Sequence, residues 1–210
     1  MLKLCINLDS RPDRWELAQK EFEKVGLEVQ RLSACTGENR PLAFNQSVYK
    51  AMELAKAADE NLLLFEDDVV FDGELPFLET NFGYYFYSPF PLNCLTVHFG
   101  CNMYGEWKLP EKTEYPEYAR LWNCWQSHAT WYSKEAVEFI LANLDPTHLN
   151  GENNIFDDWL RRNVLVKGRS YVHVPMIAYQ RIDRSDIWGH ETDYTACHIK
   201  GNEWLKNNLK

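Results

Sequence analysis

The sequence predicts an α/β fold, in which a mostly parallel central sheet is flanked by helices. Segments predicted to be strands, at residues 2–8, 27–34 and 61–65, alternate with two longer segments that carry apolar residues at helical spacing. This order is typical of parallel sheets, because a helix fits into each crossover between neighbouring strands. The chain of 210 residues is long enough to bury a full core, and we expect one domain spanning 1–210.

The first crossover helix is predicted by its start signals and its apolar stripe. Ser10 and Asp13 have the spacing of a capping box, and Pro12 suits the first turn of a helix. Gly26 is expected to end the helix. Apolar residues recur between these points at spacings of three, four and three: Trp15, Ala18, Phe22 and Val25.

The second crossover helix is predicted over residues 42–59. Its stripe consists of Phe44, Val48, Ala51 and Ala55. The third apolar run follows, and three consecutive carboxylates close it at residues 66–68.

Folding alone gives no reason for these three adjacent carboxylates, because they repel one another. In parallel sheets, ligands bind beyond the carboxyl ends of the strands, so we expect residues 9–14 and 66–68 to face one crevice. Alternation along the strand would point Glu66 and Asp68 to the same side and Asp67 to the other. Such a pair of carboxylates suits Mg²⁺ or Mn²⁺. The competing interpretation is a solvated acidic turn after a strand.

Composition and charge favour some partners over others. The formal net charge of −9 argues against a nucleic-acid partner, because phosphates are bound mainly by Lys and Arg. No stretch reaches the ~18 apolar residues of a transmembrane segment. The start of the sequence lacks the apolar core of a signal peptide, so we expect a cytoplasmic location. The six cysteines lack metal-site spacing and are expected to be free thiols.

Several segments resemble glycosyltransferase family 25, which includes bacterial lipooligosaccharide galactosyltransferases and collagen hydroxylysine galactosyltransferases. The resemblance begins with INLDSRPDRW and LLLFEDDVVF and spans residues 4–187. Three later segments follow in the order of the family: CLTVHFG, HATWYSKEAVEFIL and VPMIAYQRIDRSDI. The chain departs from the family before the second helix, where Ser47 is present but Val48 stands in place of a histidine.

The resemblance implies a GT-A-like single domain with a nucleotide-binding central sheet. Residues 1–100 would bind the nucleotide sugar, 101–187 would form the acceptor and catalytic half, and 188–210 a C-terminal tail. The implied reaction is the metal-dependent, inverting transfer of a hexose, galactose or glucose, from a UDP-sugar to an unknown acceptor hydroxyl. The acceptor would be a carbohydrate, a glycolipid or a protein. The alternative, motivated by Val48, is a non-catalytic sugar- or nucleotide-binding protein that retains the fold.

The resemblance also implies roles for individual residues. Asp68 would bind Mn²⁺ or Mg²⁺ with help from Glu66, and His190 and His198 are further candidate metal ligands. An arginine near the first strand end suits a donor phosphate. The predicted donor-binding residues are Asn7, Asp9, Arg11, Arg14, Glu66, Asp67, Gln180, Ser185 and Asp186.

An inverting transfer needs a base within reach of the acceptor hydroxyl. Asp157 and Asp158 stand at a predicted helix start, and the resemblance makes one of them the candidate. Acidic residues in a first helical turn also stabilise the helix dipole without any catalytic role, so the choice stays open.

Other residues have two interpretations each. His128 is either near the acceptor or a core histidine. Three tail residues either close over the donor or pack against the sheet: Trp188, Tyr194 and Trp204. Loops at 104–118 and 144–154 are expected to contact the acceptor.

Overall fold

The computed structural model describes residues 1–80, 83–103, 109–149 and 155–209, and the fold is α/β as predicted. The helices are α1 (Pro12–Lys24), α2 (Arg40–Ala58), α3 (Lys134–Asn143), α4 (Phe156–Asn163) and α5 (Thr195–Asn208), with a short 3-10 helix at Leu165–Lys167. The strands are β1 (Leu2–Asn7), β2 (Gln30–Ser33), β3 (Leu62–Glu66), β4 (Val69–Phe71), β5 (Phe77–Thr80), β6 (Gly83–Phe86), β7 (Thr96–Asn102), β8 (Tyr118–Arg120), β9 (Trp125–Tyr132), β10 (Ser170–His173), β11 (Ala178–Gln180), β12 (Asp183–Arg184) and β13 (Glu191–Thr192).

Seven strands form the central sheet, in the order β2-β1-β3-β9-β7-β10-β8. Strands β2, β1, β3, β7 and β10 run in one direction, because β3 and β7 are both antiparallel to β9, which lies between them. Strand β8 is antiparallel to β10. The sheet is therefore mostly parallel, and the carboxyl ends of β1, β2 and β3 meet at one edge.

Helices cover both faces of the sheet, which explains why β3 is a continuous apolar run. Leu62 and Leu64 pack on one face in a cluster that includes buried residues of α2, α3 and α4. Leu63 and Phe65 pack on the other face with Ala18 and Phe22 of α1. None of the helices in the described part of the chain is long and apolar enough to cross a membrane.

The predicted capping box at the start of α1 is wrong. The N-cap is Arg11, no side chain caps the helix, and Pro12 is the first helical residue. Asp13 is instead held by the Arg11 side chain, whose Nη2 donates to Asp13 Oδ2 at 2.9 Å. Helix α2 begins at Arg40, two residues earlier than predicted, and the side chain of Asn39 caps it.

Strand β11 lies against the central sheet because Gly100 of β7 has no side chain. A Cβ atom at Gly100 would lie 1.7 Å from the carbonyl oxygen of Ala178. Strand β11 pairs in turn with β4, and Gln180 stands opposite Val69 in that ladder. The close approach at Gly100 therefore brings Gln180 beside the end of the β3–β4 turn.

We expect Gly100→Ala to lower the free energy of unfolding by about 3 kcal/mol, because Cβ would overlap backbone that cannot move without breaking the β4–β11 ladder. Urea unfolding measures this. The matched control is Gly37→Ala, because no atom lies within 4 Å of its added Cβ, and it should change stability by less than ~0.5 kcal/mol. Equal midpoints for the two variants would contradict the described packing of β11.

Candidate active site

A cavity of about 670 Å³ opens at the carboxyl ends of β1, β2 and β3. The structure therefore brings together residues from segments that are far apart in the sequence. Most of the predicted site residues line the cavity: Asn7, Arg14, Glu66, Asp67, Asp68, Asp157, Gln180, Ser185 and Asp186.

The three consecutive carboxylates do not alternate as a strand would place them. Strand β3 ends at Glu66, and residues 67 and 68 form a turn before β4. Asp67 and Asp68 consequently reach the same nitrogen: Nη2 of Arg14 lies 2.6 Å from Asp67 Oδ1 and 3.0 Å from Asp68 Oδ2. The expectation that Asp67 points away from Asp68 is therefore wrong, because the chain turns after Glu66.

Arg14 is a buried cation surrounded by carboxylates. The residue is only 5% exposed. Its Nη1 lies 3.3 Å from Asp186 Oδ2, and its Nε lies 3.8 Å from Asp183 Oδ2. Arg11 pairs with the same Asp186 carboxylate at 2.8 Å. Two arginines of the first strand–helix junction thus hold the hairpin formed by β12 and β13 against the cavity.

Asn7 and Arg31 fix the other side of Asp67. The side-chain amide of Asn7 donates to Asp67 Oδ2 at 2.6 Å, and Asn7 Oδ1 accepts from Arg31 Nε at 2.7 Å. Burial raises the pKa of Asp67 to about 6, although the nearby Arg14 acts in the opposite direction. Ionised Asp67 is therefore costly to the fold, even with two partners.

Glu66 and Asp68 face the interior of the cavity in different surroundings. Burial raises the pKa of Glu66 well above its usual range, and the charges of Asp68 and Asp157 raise it further. Gln180 Nε2 lies 3.3 Å from Asp68 Oδ2. The Oε1 atom of Gln180 is buried and has no hydrogen-bond partner in the described part of the chain.

The two candidate bases at the start of α4 face different surroundings. Asp157 lines the cavity, where Gln126 N donates to its Oδ2 and Ser127 Oγ donates to its Oδ1, both at 2.9 Å. Burial raises the pKa of Asp157. Asp158 does not line the cavity and is buried in ion pairs with Arg161 at 2.5 Å and Arg162 at 2.8 Å.

The structure places the remaining predicted metal and donor residues outside the cavity lining. Asp9 is exposed and pairs with Arg31 at 2.9 Å. His190 is exposed, and its Nδ1 lies 3.2 Å from the carbonyl oxygen of Trp188. His198 lines a second cavity, where its Nε2 lies 2.8 Å from Asp72 Oδ2. Neither histidine lines the cavity that Asp68 lines.

The residues for which the sequence left two interpretations, one histidine and three tail aromatics, lie in different places. His128 is buried in β9 and packs at Gly100, so it does not reach the cavity. Trp188 and Tyr194 line the cavity, whereas Trp204 packs against the core. Part of each expected acceptor loop, 104–108 and 150–154, lies outside the described residues.

Some cavity residues were missed by the sequence analysis. Arg40 lines the cavity, and its Nη1 donates to the carbonyl oxygen of Asp186 at 2.8 Å. It stands at the start of α2, which follows β2. The expectation that ligands bind beyond the carboxyl ends of parallel strands, applied to this second junction, would have found it. Gln126 carries no such signal: its backbone φ of 70° is unusual for a residue other than glycine, and only the folded chain shows it.

Several solved structures are similar to this chain. The chain is similar to a glycosyltransferase involved in the glycosylation of the major capsid of PBCV-1, with a TM-score of 0.51, 9% identity and 98% of each chain covered. It is also similar to A197 from STIV, with a TM-score of 0.44, 14% identity and 87% of each chain covered, which is too distant to carry an argument. The first likeness shows that the chain shares the fold of that glycosyltransferase.

No protein-family model and no curated protein sequence matches this chain. Membership of glycosyltransferase family 25 therefore stays a prediction, as do the division of the chain into functional parts and the roles of individual residues.

The donor atoms in the cavity have the chemistry of a divalent cation site, but they are not assembled as one. Carboxylate and amide oxygens are the ligands that Mg²⁺ and Mn²⁺ prefer, and the buried, unpartnered Oε1 of Gln180 lies on a residue that contacts Asp68. Among the described residues, however, no group of three or more His, Cys, Asp or Glu side chains is placed to hold a metal ion. Asp68 is instead paired with Arg14.

The raised pKa of Asp67 predicts how Asp67→Asn changes stability with pH. In the unfolded chain the carboxyl ionises near pH 3.8, and in the folded chain near pH 6. The stability that this group contributes is therefore complete below pH 3.8 and is lost as pH rises through 6. Asparagine cannot ionise, so the substitution removes this loss. We expect the change in the free energy of unfolding that Asp67→Asn causes to be about 2 kcal/mol more stabilising at pH 7.5 than at pH 4.5.

Urea unfolding at both pH values measures the difference. Asp13→Asn is the control, because the hydrogen bond to Arg11 lowers the pKa of Asp13, so this group titrates below the window. Its effect should be nearly equal at the two pH values. A pH-independent effect of Asp67→Asn would show that Asp67 is not held in a costly ionised state.

Proposed function

We propose that this protein is a metal-dependent, inverting glycosyltransferase that transfers a hexose from a UDP-sugar to an acceptor hydroxyl. One observation carries the proposal: the acidic turn after β3 and Asp157 of α4, about 90 residues apart in the sequence, line one cavity at the carboxyl edge of the sheet. The glycosyltransferase fold of the chain supports it.

The charges around the cavity support a need for a bound cation. Among the described lining residues, five carboxyl groups face two arginines: Glu66, Asp67, Asp68, Asp157 and Asp186 against Arg14 and Arg40. A diphosphate would be repelled by this excess of negative charge. A bound Mn²⁺ or Mg²⁺ would supply positive charge against that of the leaving nucleoside diphosphate. We assign its binding to Asp68 and Gln180, with Glu66 beside them.

Asp157 is the better candidate for the base. In the proposed reaction the acceptor hydroxyl gives its proton to Asp157 while its oxygen attacks the anomeric carbon, and the bond from that carbon to the diphosphate oxygen breaks. Gln126 N–H and Ser127 Oγ–H hold the carboxylate in place. Burial raises its pKa, which makes the carboxylate a stronger base than a solvated aspartate.

The departure at Val48 no longer favours a non-catalytic protein. Val48 is fully buried in the core, whereas its neighbour Ser47 lines the cavity. The Oγ atom of Ser47 accepts from Cys35 N and donates to Ala43 O, both at 2.8 Å. A histidine at position 48 would therefore point into the core in this fold, and its absence removes no group from the cavity.

The proposal is tested with a panel of nucleotide sugars, with and without Mn²⁺. Calorimetry measures binding, and mass spectrometry detects both donor hydrolysis and transfer to molecules of a lysate. We expect at least one UDP-hexose to bind more tightly with Mn²⁺ and to be hydrolysed slowly. The proposal is wrong if no nucleotide sugar binds better with metal than without it.

Replacing the two neighbouring aspartates separately distinguishes their roles. We expect Asp157→Asn to lower kcat by about 10²- to 10⁴-fold, because the amide cannot accept the proton. Asp158→Asn should leave kcat within about threefold and reduce thermal stability, because it loosens the ion pairs with Arg161 and Arg162. Both variants are assayed at a temperature at which circular dichroism shows them folded. The reverse pattern would assign the base to Asp158.

A further inference from the structure

The carboxylate that best suits a divalent cation already has a cationic partner in the chain. Nη2 of Arg14 lies 3.0 Å from Asp68 Oδ2 and 2.6 Å from Asp67 Oδ1. All three side chains are largely buried: their exposed fractions are 6%, 17% and 11% for Arg14, Asp68 and Asp67. Water therefore screens these charges only weakly, and each of them needs a partner.

A second cation at Asp68 would meet the guanidinium at short range. Two positive charges that share one carboxylate oxygen in a buried site repel each other strongly. Arg14 can nevertheless leave Asp68 without losing every partner, because Asp186 lies 3.3 Å from its Nη1 and Asp183 lies 3.8 Å from its Nε. Counting Asp67, three carboxylates other than Asp68 therefore lie within 3.8 Å of the guanidinium.

We propose that Arg14 and a divalent cation compete for Asp68, so that cation binding releases the Arg14 guanidinium from Asp68 towards the donor phosphates. This inference rests on the proposed function and deepens it. Arg14 would neutralise the acidic turn while the cavity is empty, and a diphosphate would accept the guanidinium once a cation has taken its place. Cation and donor would consequently bind with positive cooperativity.

Mn²⁺ titration in the absence of donor, followed by calorimetry and by electron paramagnetic resonance of free Mn²⁺ at pH 7.5, tests the competition. We expect Arg14→Gln to bind Mn²⁺ at least about fivefold more tightly than the unsubstituted protein, because Asp68 is then unpaired. Arg11→Gln is the matched control. It removes the same charge from the same cluster but leaves the partner of Asp68 in place, so its Mn²⁺ affinity should rise by less than about twofold.

Arg14→Gln removes the guanidinium from Asp67 and Asp68 and is expected to lower stability. A second variant at this position and a measurement on the unsubstituted protein therefore accompany it. Lysine at position 14 keeps the charge but lacks the planar fork, and Arg14→Lys should bind Mn²⁺ with intermediate affinity. In ¹⁵N-labelled unsubstituted protein, the Arg14 Nε–Hε resonance, assigned by its loss in Arg14→Lys, should shift on addition of Mg²⁺ and again on addition of UDP.

The outcomes separate this inference from the proposed function. Tighter Mn²⁺ binding by both position-14 variants, with a resonance that moves, supports the competition. Equal or weaker binding than in the unsubstituted protein overturns it, and leaves the glycosyltransferase proposal standing if UDP still needs Mn²⁺. If neither the unsubstituted protein nor any variant binds Mn²⁺, with or without UDP, the metal dependence fails and the competition fails with it.

Discussion

The ion pairs of Arg14 are the interactions on which the rest of the site depends. This one guanidinium contacts carboxylates of the turn after β3 and of the β12–β13 hairpin, which are distant in the sequence from α1. Without a positive charge at this point, the carboxylates of the turn and of the hairpin would repel one another. The guanidinium of Arg14 thus offsets part of the negative charge that collects at this edge of the sheet.

The sequence predicted the sheet edge because that prediction needs only local patterns. The run that became β3 is continuous and apolar, since helices cover both of its faces. Because ligands bind beyond the carboxyl ends of parallel strands, residues 9–14 and 66–68 are then expected to lie together. The burial of Arg14 could not be predicted in this way. The apolar stripe of α1 contains Ala18 and Phe22, and Arg14 lies one turn before Ala18 on the same face, but its carboxylate partners come from distant parts of the chain.

The choice between Asp157 and Asp158 shows a different limit of prediction from sequence. Both are in the first turn of α4, where the helix dipole favours acidic residues, and this signal is the same for the two. Neighbouring helical positions point about 100° apart, so the fold directs one to the cavity and the other to Arg161 and Arg162. Those arginines stand three and four residues after Asp158, which is a local indication that its charge is already paired.

The acidic character of the cavity also constrains the order in which ligands can enter. An anionic donor that approached first would face an excess of carboxylates whose strongest cation, Arg14, is already engaged. A small cation meets attraction at the same site and reduces the potential that the donor encounters. In the proposed reaction Asp157 must stay ionised, whereas desolvation favours the protonated form of Glu66, which lines the same cavity. A proton on Glu66 reduces the negative charge around Asp157. This proton would therefore make it easier for Asp157 to stay ionised and to act as the proposed base.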